Sequence, residues 1–455
     1  EGIMRGLKSD RPGLKCGALR QIRRMGAGEM RRHDLDRQVL PMLDDPDADV
    51  QENALCTIAE LGSNGSAYAH LVGAKLEKST EKQVQRAALA ALASIGQDAA
   101  EYASAVESFL DSQDPDLVVD ACTTLGSLKA SSSAMKIVAK LTNPDTDIVF
   151  AACSSLSALD CESEAVGRLL SHAEPRIRAA SLNALKGMRN IEGFAATAAP
   201  LVGDHDSYVR LGAVDFICRL GAKATPHAPE IGKLLSSQDP GIVAAAATAL
   251  SGIGELAASQ IPALEQALLN SGEDTTTLPL TTAGVSPKLA AVLRKPTCAA
   301  AAALAAMGSS AAQSAPRIAE CLKSKDWEVR AAALHSLSRM ASSCSMFEDQ
   351  IHDLLRDEAP PVAAAACLAL GELAAATGQC SAAAAMAELM DHPHPAVRAR
   401  AVQGLGMMGE EAQQHMDGFL ALFGDRSWAV QVEAIRAIAK CGELGQMFAP
   451  DVCRM

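Results

Sequence analysis

Apolar side chains recur along this chain at spacings of four, four and three residues, which places them on one face of a helix. The segment Asp326 to Ala341, DWEVRAAALHSLSRMA, shows the pattern: Val329, Ala333, Leu337 and Met340 fall on one side. With Val329 as position zero, the same frame starts at Leu14, Val50, Val84, Leu117, Ile148, Ile177, Val209, Ile242, Pro296, Val362, Val397 and Val430. Successive starts lie 29 to 36 residues apart, with one interval of 54 between Ile242 and Pro296. Position eight is Ile or Leu in every window, and position four is Ala in every window but one, where Ser181 stands. A large aliphatic side chain at position eight fills the space between neighbouring units, and Ala at position four lets helices approach closely while favouring the helix itself.

Each frame predicts a second helix of a two-helix unit. Asp45-Pro46, Asp114-Pro115 and Asp239-Pro240 read as helix starts, with Asp as N-cap and Pro at the first helical position. Gly62, Gly96, Gly221, Gly254, Gly308, Gly409 and Gly442 follow at position twelve, where a left-handed C-cap would end the helix. Between frames lie predicted first helices at Ala67–Leu76, Ala99–Leu110, Ala228–Leu235, Ala315–Leu322, Met346–Leu355 and Met416–Phe423. No alternating strand pattern of useful length interrupts them. The chain is read as all-α, a stack of about thirteen two-helix units, an architecture that lets 455 residues fold without one oversized core.

The long interval divides the chain into an array over 1–269, an inserted segment over 270–295 and a second array over 296–455. The insertion is rich in Thr, Gly and Ser, and Ser286-Pro287-Lys288 has the form of a proline-directed phosphorylation site. A segment this long serves contact or regulation, or is a tolerated insertion. Neither end shows a polar capping unit, so the array reads as part of a longer one or as covered at its ends by partners.

The repeating motif is a turn with Asp and often Pro, followed by V-R-x-A-A-x-x-A-L-x-x-L-G. Its fullest copies are SYVRLGAVDFICRLG (Ser207–Gly221), WEVRAAALHSLSRMA (Trp327–Ala341) and PAVRARAVQGLGMMG (Pro395–Gly409). This resembles the HEAT repeat in its short, phycobilisome-lyase-type form. The resemblance implies a right-handed α-solenoid (superhelix) that binds proteins on a curved surface made by the second helices. It also implies an Asp–Arg ladder between neighbouring turns, here carried by Arg178, Arg210, Arg330 and Arg398, with Lys15 as a fifth cation. Gln51, Gln85, Gln431, Val118, Val149, Val243, Ala363 and Thr297 occupy the same position and break that ladder.

Composition narrows the function. Hydrophobic residues are 49% of the chain and aromatics only 3%, so the core is Ala, Leu, Val and Met, and aromatic platforms for bases or sugars are lacking. A net charge of −13 makes a poor generic binder of nucleic acid or anionic membrane. The charge is uneven: residues 1–40 carry ten Lys or Arg against five Asp or Glu, a net of +5, which leaves −18 for the remainder. Arg20, Arg23, Arg24, Arg31 and Arg32 in this stretch are candidate partner-binding residues. Thirteen scattered Cys without a CxxC read as small buried hydrophobes in a reducing, cytoplasmic-type compartment. No uninterrupted apolar run long enough to span a membrane and no signal-peptide pattern are read from the sequence.

No catalytic constellation, metal site or cofactor site is read from the residues. Gly404, Gly406 and Gly409 match G-x-G-x-x-G but close a helix instead of joining a strand to one. His392 and His394 flank Pro393 in a turn, and Cys380 supplies no second ligand pair. The leading expectation is a non-enzymatic scaffold or adaptor for protein partners within a larger complex. Two alternatives are a bilin lyase or chaperone acting on a light-harvesting protein, implied by the resemblance alone, and nucleic-acid binding through the basic first repeat.

Overall fold

A computed structural model describes residues 2–270, 295–340, 344–378 and 381–441. Helices, and no strands, make up the described residues. The chain forms two compact units, Glu1–Thr197 and Ala198–Met455. In the first, the second helices of the repeats are α1 (Pro12–Arg32), α2 (Ala48–Ala59), α3 (Lys82–Ile95), α4 (Pro115–Ser127), α5 (Thr146–Leu159) and α6 (Pro175–Gly187). In the second they are α7 (Ser207–Leu220), α8 (Pro240–Ile253), α9 (Pro296–Ala306), α10 (Trp327–Arg339), α11 (Pro360–Thr377), α12 (Pro395–Leu405) and α13 (Trp428–Lys440). Within each unit every second helix packs against the next, forming an α-solenoid layer.

The two diagnostic columns are the core of both units. Position four, from Ala18 to Ala434 and including Ser181, is buried in every repeat, and so is position eight, from Ile22 to Ile438. Position zero is less uniform. Leu14 was expected on the buried face and is 51% exposed. Helix Gly2–Leu7 crosses so close to α1 that a Cβ on Gly6 would stand 2.8 Å from the Ala18 Cβ and 3.2 Å from the Leu14 carbonyl oxygen. The crossing covers the backbone there and leaves the Leu14 side chain outside. Val329 and Ile242 are half-buried.

The first helices are shorter than the sequence predicts. In place of Ala99–Leu110 the chain forms a 3₁₀ segment Gly96–Tyr102, one α-turn Ala103–Glu107 and a second 3₁₀ turn Ser108–Asp111. Ala228–Lys233 and Ala315–Glu320 likewise run into 3₁₀ turns at Leu234–Ser236 and Cys321–Lys323. Tightening the last turn gives its orphan carbonyls donors and keeps Leu110, Leu235 and Leu322 buried. A spacing of three serves both helix types, so the apolar pattern does not separate them.

Two details of helix termination also differ. Asp45 does not cap α2; that helix starts two residues later, and Asp47 accepts from the Asp49 and Val50 N–H groups. Asp114 and Asp239 cap α4 and α8 as expected. The described position-twelve glycines have positive φ, and in four of them ψ departs from that of a left-handed C-cap. Gly96 (φ 76, ψ −142), Gly221 (φ 52, ψ −125), Gly254 (φ 76, ψ −144) and Gly409 (φ 61, ψ −121) occupy a region open essentially to Gly alone. They turn the chain from a second helix toward the next first helix. Gly442 lies outside the described residues.

At Gly254 an added Cβ would meet only the Ala306 carbonyl oxygen, at an ordinary 3.8 Å. Gly254→Ala is therefore expected to cost about 1–3 kcal/mol through backbone strain alone. Gly254→Asn should cost as much, since Asn tolerates the left-handed helical region but not ψ near −144. Thermal melts of both variants check this; an Asn variant as stable as the parent would restore the left-handed cap.

Helix Ile261–Asn270 packs against α9, and α8 packs directly on α9. The helices on either side of the insertion therefore belong to one repeat, and the stack continues past it. Residues 271–294, with Ser286 and Lys288, lie outside the described residues. Pro240–Leu269 and Pro360–Thr377 are, contrary to the sequence expectation, long and apolar enough to cross a membrane by length and composition. Their windows are 67% and 61% buried inside the fold, and the first comprises two helices, Pro240–Ile253 and Ile261–Asn270, parted by the turn at Gly254.

Candidate protein-binding surface

One edge of each unit is built from the turns that precede the second helices. Five residues before position zero stands a small polar side chain in each described turn: Ser9, Asp45, Ser79, Ser112, Asn143 and His172 in the first unit, and Asp204, Ser237, Ser324, Asp357, His392 and Asp425 in the second. Each accepts a hydrogen bond from the backbone N–H two residues on, at 2.7–3.2 Å. In many repeats that next residue is the helix N-cap, as with Asp114, Asp145, Asp239 and Asp326. This two-step cap is visible in the sequence as a Ser/Asp/Asn/His column, which the search for apolar positions passed over. His392 and His394 belong to it: the Nδ1 of His392 accepts from the His394 N–H, and the Nδ1 of His394 from the Ala396 N–H. Cys380 lies outside the described residues. Among the described residues no group of three or more potential ligands could hold a metal ion.

Position one carries the cross-links along this edge. Arg330 donates from Nη1 to the Ser324 and Lys325 carbonyls of its own turn, at 2.8 and 3.1 Å. Its Nε and Nη2 each lie 2.8 Å from a carboxylate oxygen of Asp357 in the following turn. Arg398 repeats this geometry with His392, Pro393 and Asp425. Arg210 holds the Asp204 and His205 carbonyls and comes within 3.8 Å of Asp239. Arg178 holds the His172 and Ala173 carbonyls. Where Gln replaces the cation, Gln51, Gln85 and Gln431 still donate to the carbonyl six residues back. The amide keeps the intra-turn bond but is too short to reach the next repeat. Lysines cross as well, Lys15 from position one and two others from just before position zero: Lys15 pairs with Asp45 at 2.5 Å, Lys82 with Asp114 at 2.6 Å, and Lys295 with Asp326 and Glu328.

Burial alone would raise the Asp357 carboxyl, yet the Arg330 guanidinium and the Ala359 N–H together hold it below the usual carboxylate range. The hydrogen bonds of Arg398 do the same for Asp425. A folded pKa below the unfolded value stabilises above the unfolded value and loses its effect as pH falls through the folded one. Arg330→Ala is expected to cost about 1.5–3 kcal/mol at neutral pH, because it strips a buried carboxylate of its partner. Arg330→Gln should cost less, since Gln can retain the bond to Ser324. The parent–Ala difference in urea melts should shrink once acid protonates Asp357; a constant difference across that range would deny the carboxylate its role.

The other surface on offer is the outward row of the second helices. At position six of the first unit Arg20, Ala90, Thr123, Ser154 and Asn183 are exposed and Cys56 half-buried. In the second unit Thr248 is buried in this row, and Ala302 and Leu368 half-buried. Ala245, Ala299 and Ala365, three positions earlier on the same helices, let successive helices close up.

The candidate arginines of the first repeat divide. Helix α1 is kinked at Gly26 (φ 79, ψ 164), so Arg20, Arg23 and Arg24 precede the kink while Arg31 and Arg32 follow it. Arg32 is 3.4 Å from Glu29. Gly404, Gly406 and Gly409 serve packing and chain direction: Cβ atoms on the first two would stand 2.4 Å from the Cys367 carbonyl oxygen and 2.9 Å from the Ala437 Cβ. The cysteines described are free thiols, and burial pushes those of Cys122, Cys153, Cys298 and Cys367 up to about 12.

Paired helices stacked in register, each second helix on the next, define an α-solenoid. Residues 348–420 match a family model described as HEAT repeats, and residues 315–344 one described as HEAT repeat. Those residues are accordingly HEAT repeats, and the described chain repeats the same two-helix plan as an α-solenoid. No curated protein matches the sequence. Solved structures do. Kap95p with RanGDP is 13% identical with a TM-score of 0.61, covering 90% of this chain and 61% of that one. The Kap95:Nup1 complex gives 14%, 0.61 and the same coverage. Kap121p bound to the extreme C-terminus of the protein phosphatase Cdc14p gives 12% and 0.53, with 99% and 57% covered. At these identities the likeness is one of fold. The chain spans about three fifths of the length of the first of these relatives.

Proposed function

We propose that this chain is a non-enzymatic scaffold that holds protein partners along its second-helix layer within a larger assembly. The observation that carries the reading is the exposed row at position six of the first unit. The fold fixes positions four and eight of each second helix and leaves this row free at regular intervals. Such a surface suits an extended partner read by many small contacts. Relatives of the same fold were solved with protein partners, among them RanGDP, Nup1 and the extreme C-terminus of Cdc14p.

The test is capture of the tagged full-length chain from its own cells at low and high salt, with mass spectrometry. It is run beside a variant carrying Ala90→Arg, Thr123→Arg and Ser154→Arg. A stoichiometric protein that survives high salt with the parent and is lost with the variant is the expected result. Absence of any such protein, or a pigmented or nucleic-acid-bearing eluate, would replace the scaffold reading by one of its alternatives.

A further inference from the structure

Two arginines of the first repeat are held by the second repeat without being neutralised. The Nε of Arg20 donates to the Asn53 Oδ1 at 3.3 Å, and the Nη1 of Arg31 donates to the Asn64 Oδ1 at 2.8 Å. The charge of half-buried Arg23 opposes the rise that burial gives the Cys56 thiol. Each partner lies 33 residues beyond its arginine, so the contacts form one register running along α2 and the turn after it. The Asn53 amide is itself oriented, because its Nδ2 donates to the Asp49 carbonyl at 2.8 Å and leaves Oδ1 facing the guanidinium. No carboxylate lies within ion-pair distance of Arg20, Arg23, Arg24 or Arg31 among the described residues. Elsewhere in the first unit several exposed cations are paired, as Arg86 is with Asp116 and Asp120. Amide oxygens thus fix where the Arg20 and Arg31 guanidinium groups stand while their charge stays available.

We propose that this strip on the first two repeats binds an extended acidic segment of a protein partner, with carboxylates at alternate positions. In an extended segment alternate side chains share one face, so carboxylates at alternate positions can all meet the strip. Guanidinium groups pre-oriented for fork-like contacts favour planar carboxylates. A long polyanion fits less well, because the remainder of the chain carries −18 and repels it. The proposal rests on the scaffold reading and adds the chemistry of one partner.

The experiment measures fluorescence anisotropy of a labelled short peptide with Glu at alternate positions, titrated with the full chain in low-salt buffer. The Gln counterpart and a short single-stranded RNA serve as comparison probes. The Glu peptide should bind at least about tenfold more tightly than the Gln peptide. The variant R20Q/R23Q/R31Q should weaken it about tenfold or more while circular dichroism and Tm hold. The variant N53A/N64A, which keeps every charge, should weaken it several-fold by releasing the guanidinium groups. Equal binding of Glu and Gln peptides, full affinity in the arginine variant, or tighter binding of RNA would overturn the proposal. If the peptide fails while a salt-stable protein is still captured from cells, the scaffold reading stands and only the acidic strip falls.

Discussion

Leu337→Asp is expected to destabilise the second unit by more than about 4 kcal/mol and to melt the repeats around α10 ahead of the rest. Leu337 occupies position eight and is 1% exposed between α10 and its neighbours. Removing the aliphatic side chain alone costs roughly 2–5 kcal/mol at such a site. Aspartate adds a buried charge with no cation placed to meet it, so the site must admit water or protonate the acid. In a stack of repeats the loss is local first, because each repeat contacts only its neighbours. Hydrogen exchange should report accelerated exchange in α9, α10 and α11. The control is Val329→Asp at position zero, where the side chain is only half-buried and the penalty correspondingly smaller. A Leu337→Asp variant that melts with the parent would mean that the frame is wrongly placed.

The frame was legible in the sequence because stacking imposes one spacing on every copy. A helix that meets the same neighbour geometry each time needs the same small residue at position four and the same large one at position eight, and repetition lifts those columns above local noise. The ladder was only partly legible. Arg330 and Arg398 sit where the motif puts them, but Lys15, Lys82 and Lys295 reach the next turn from three different positions, since a flexible lysine stem bridges from several places. The first helices were mis-sized because i, i+3 spacing serves α and 3₁₀ segments alike. The glycines at position twelve were found, but their ψ depends on the turn that follows and is not written in residue identity. The held arginines were seen as charge alone. Asn53 and Asn64 orient two of them from 33 residues on, whereas the first two frames start 36 apart, so these pairs join different positions of the repeat and a search at the repeat spacing passes over them.

Close backbone approach is a second determinant of the stack, and Gly371→Ala tests it with a single methyl group. Gly371 on α11 faces Gly404 on α12. A Cβ built on Gly371 would stand 2.6 Å from the Gly404 Cα and 2.8 Å from its carbonyl oxygen. The obstacle is backbone on the opposing helix, not the end of a flexible side chain, so relief requires α11 and α12 to separate. Gly371 has an ordinary helical conformation, and Ala favours a helix over Gly by about 1 kcal/mol, which would stabilise the variant if no neighbour were near. Separation strips contacts from Ala363, Ala364 and Val397, which pack together between these helices. The net result is an expected loss of about 2–3 kcal/mol, the upper range for inserting a methyl into a closed core. Gly378→Ala offers a contrast: nothing lies within 4 Å of its added Cβ, but its φ is +73, so its cost of about 1 kcal/mol comes from backbone strain without any parting of helices. Hydrogen exchange separates the two, because Gly371→Ala should loosen both α11 and α12 while Gly378→Ala loosens only the end of α11. If Gly371→Ala instead gained the stability that helix propensity predicts, the two helices would have room for the methyl and the glycine pair would not set their spacing.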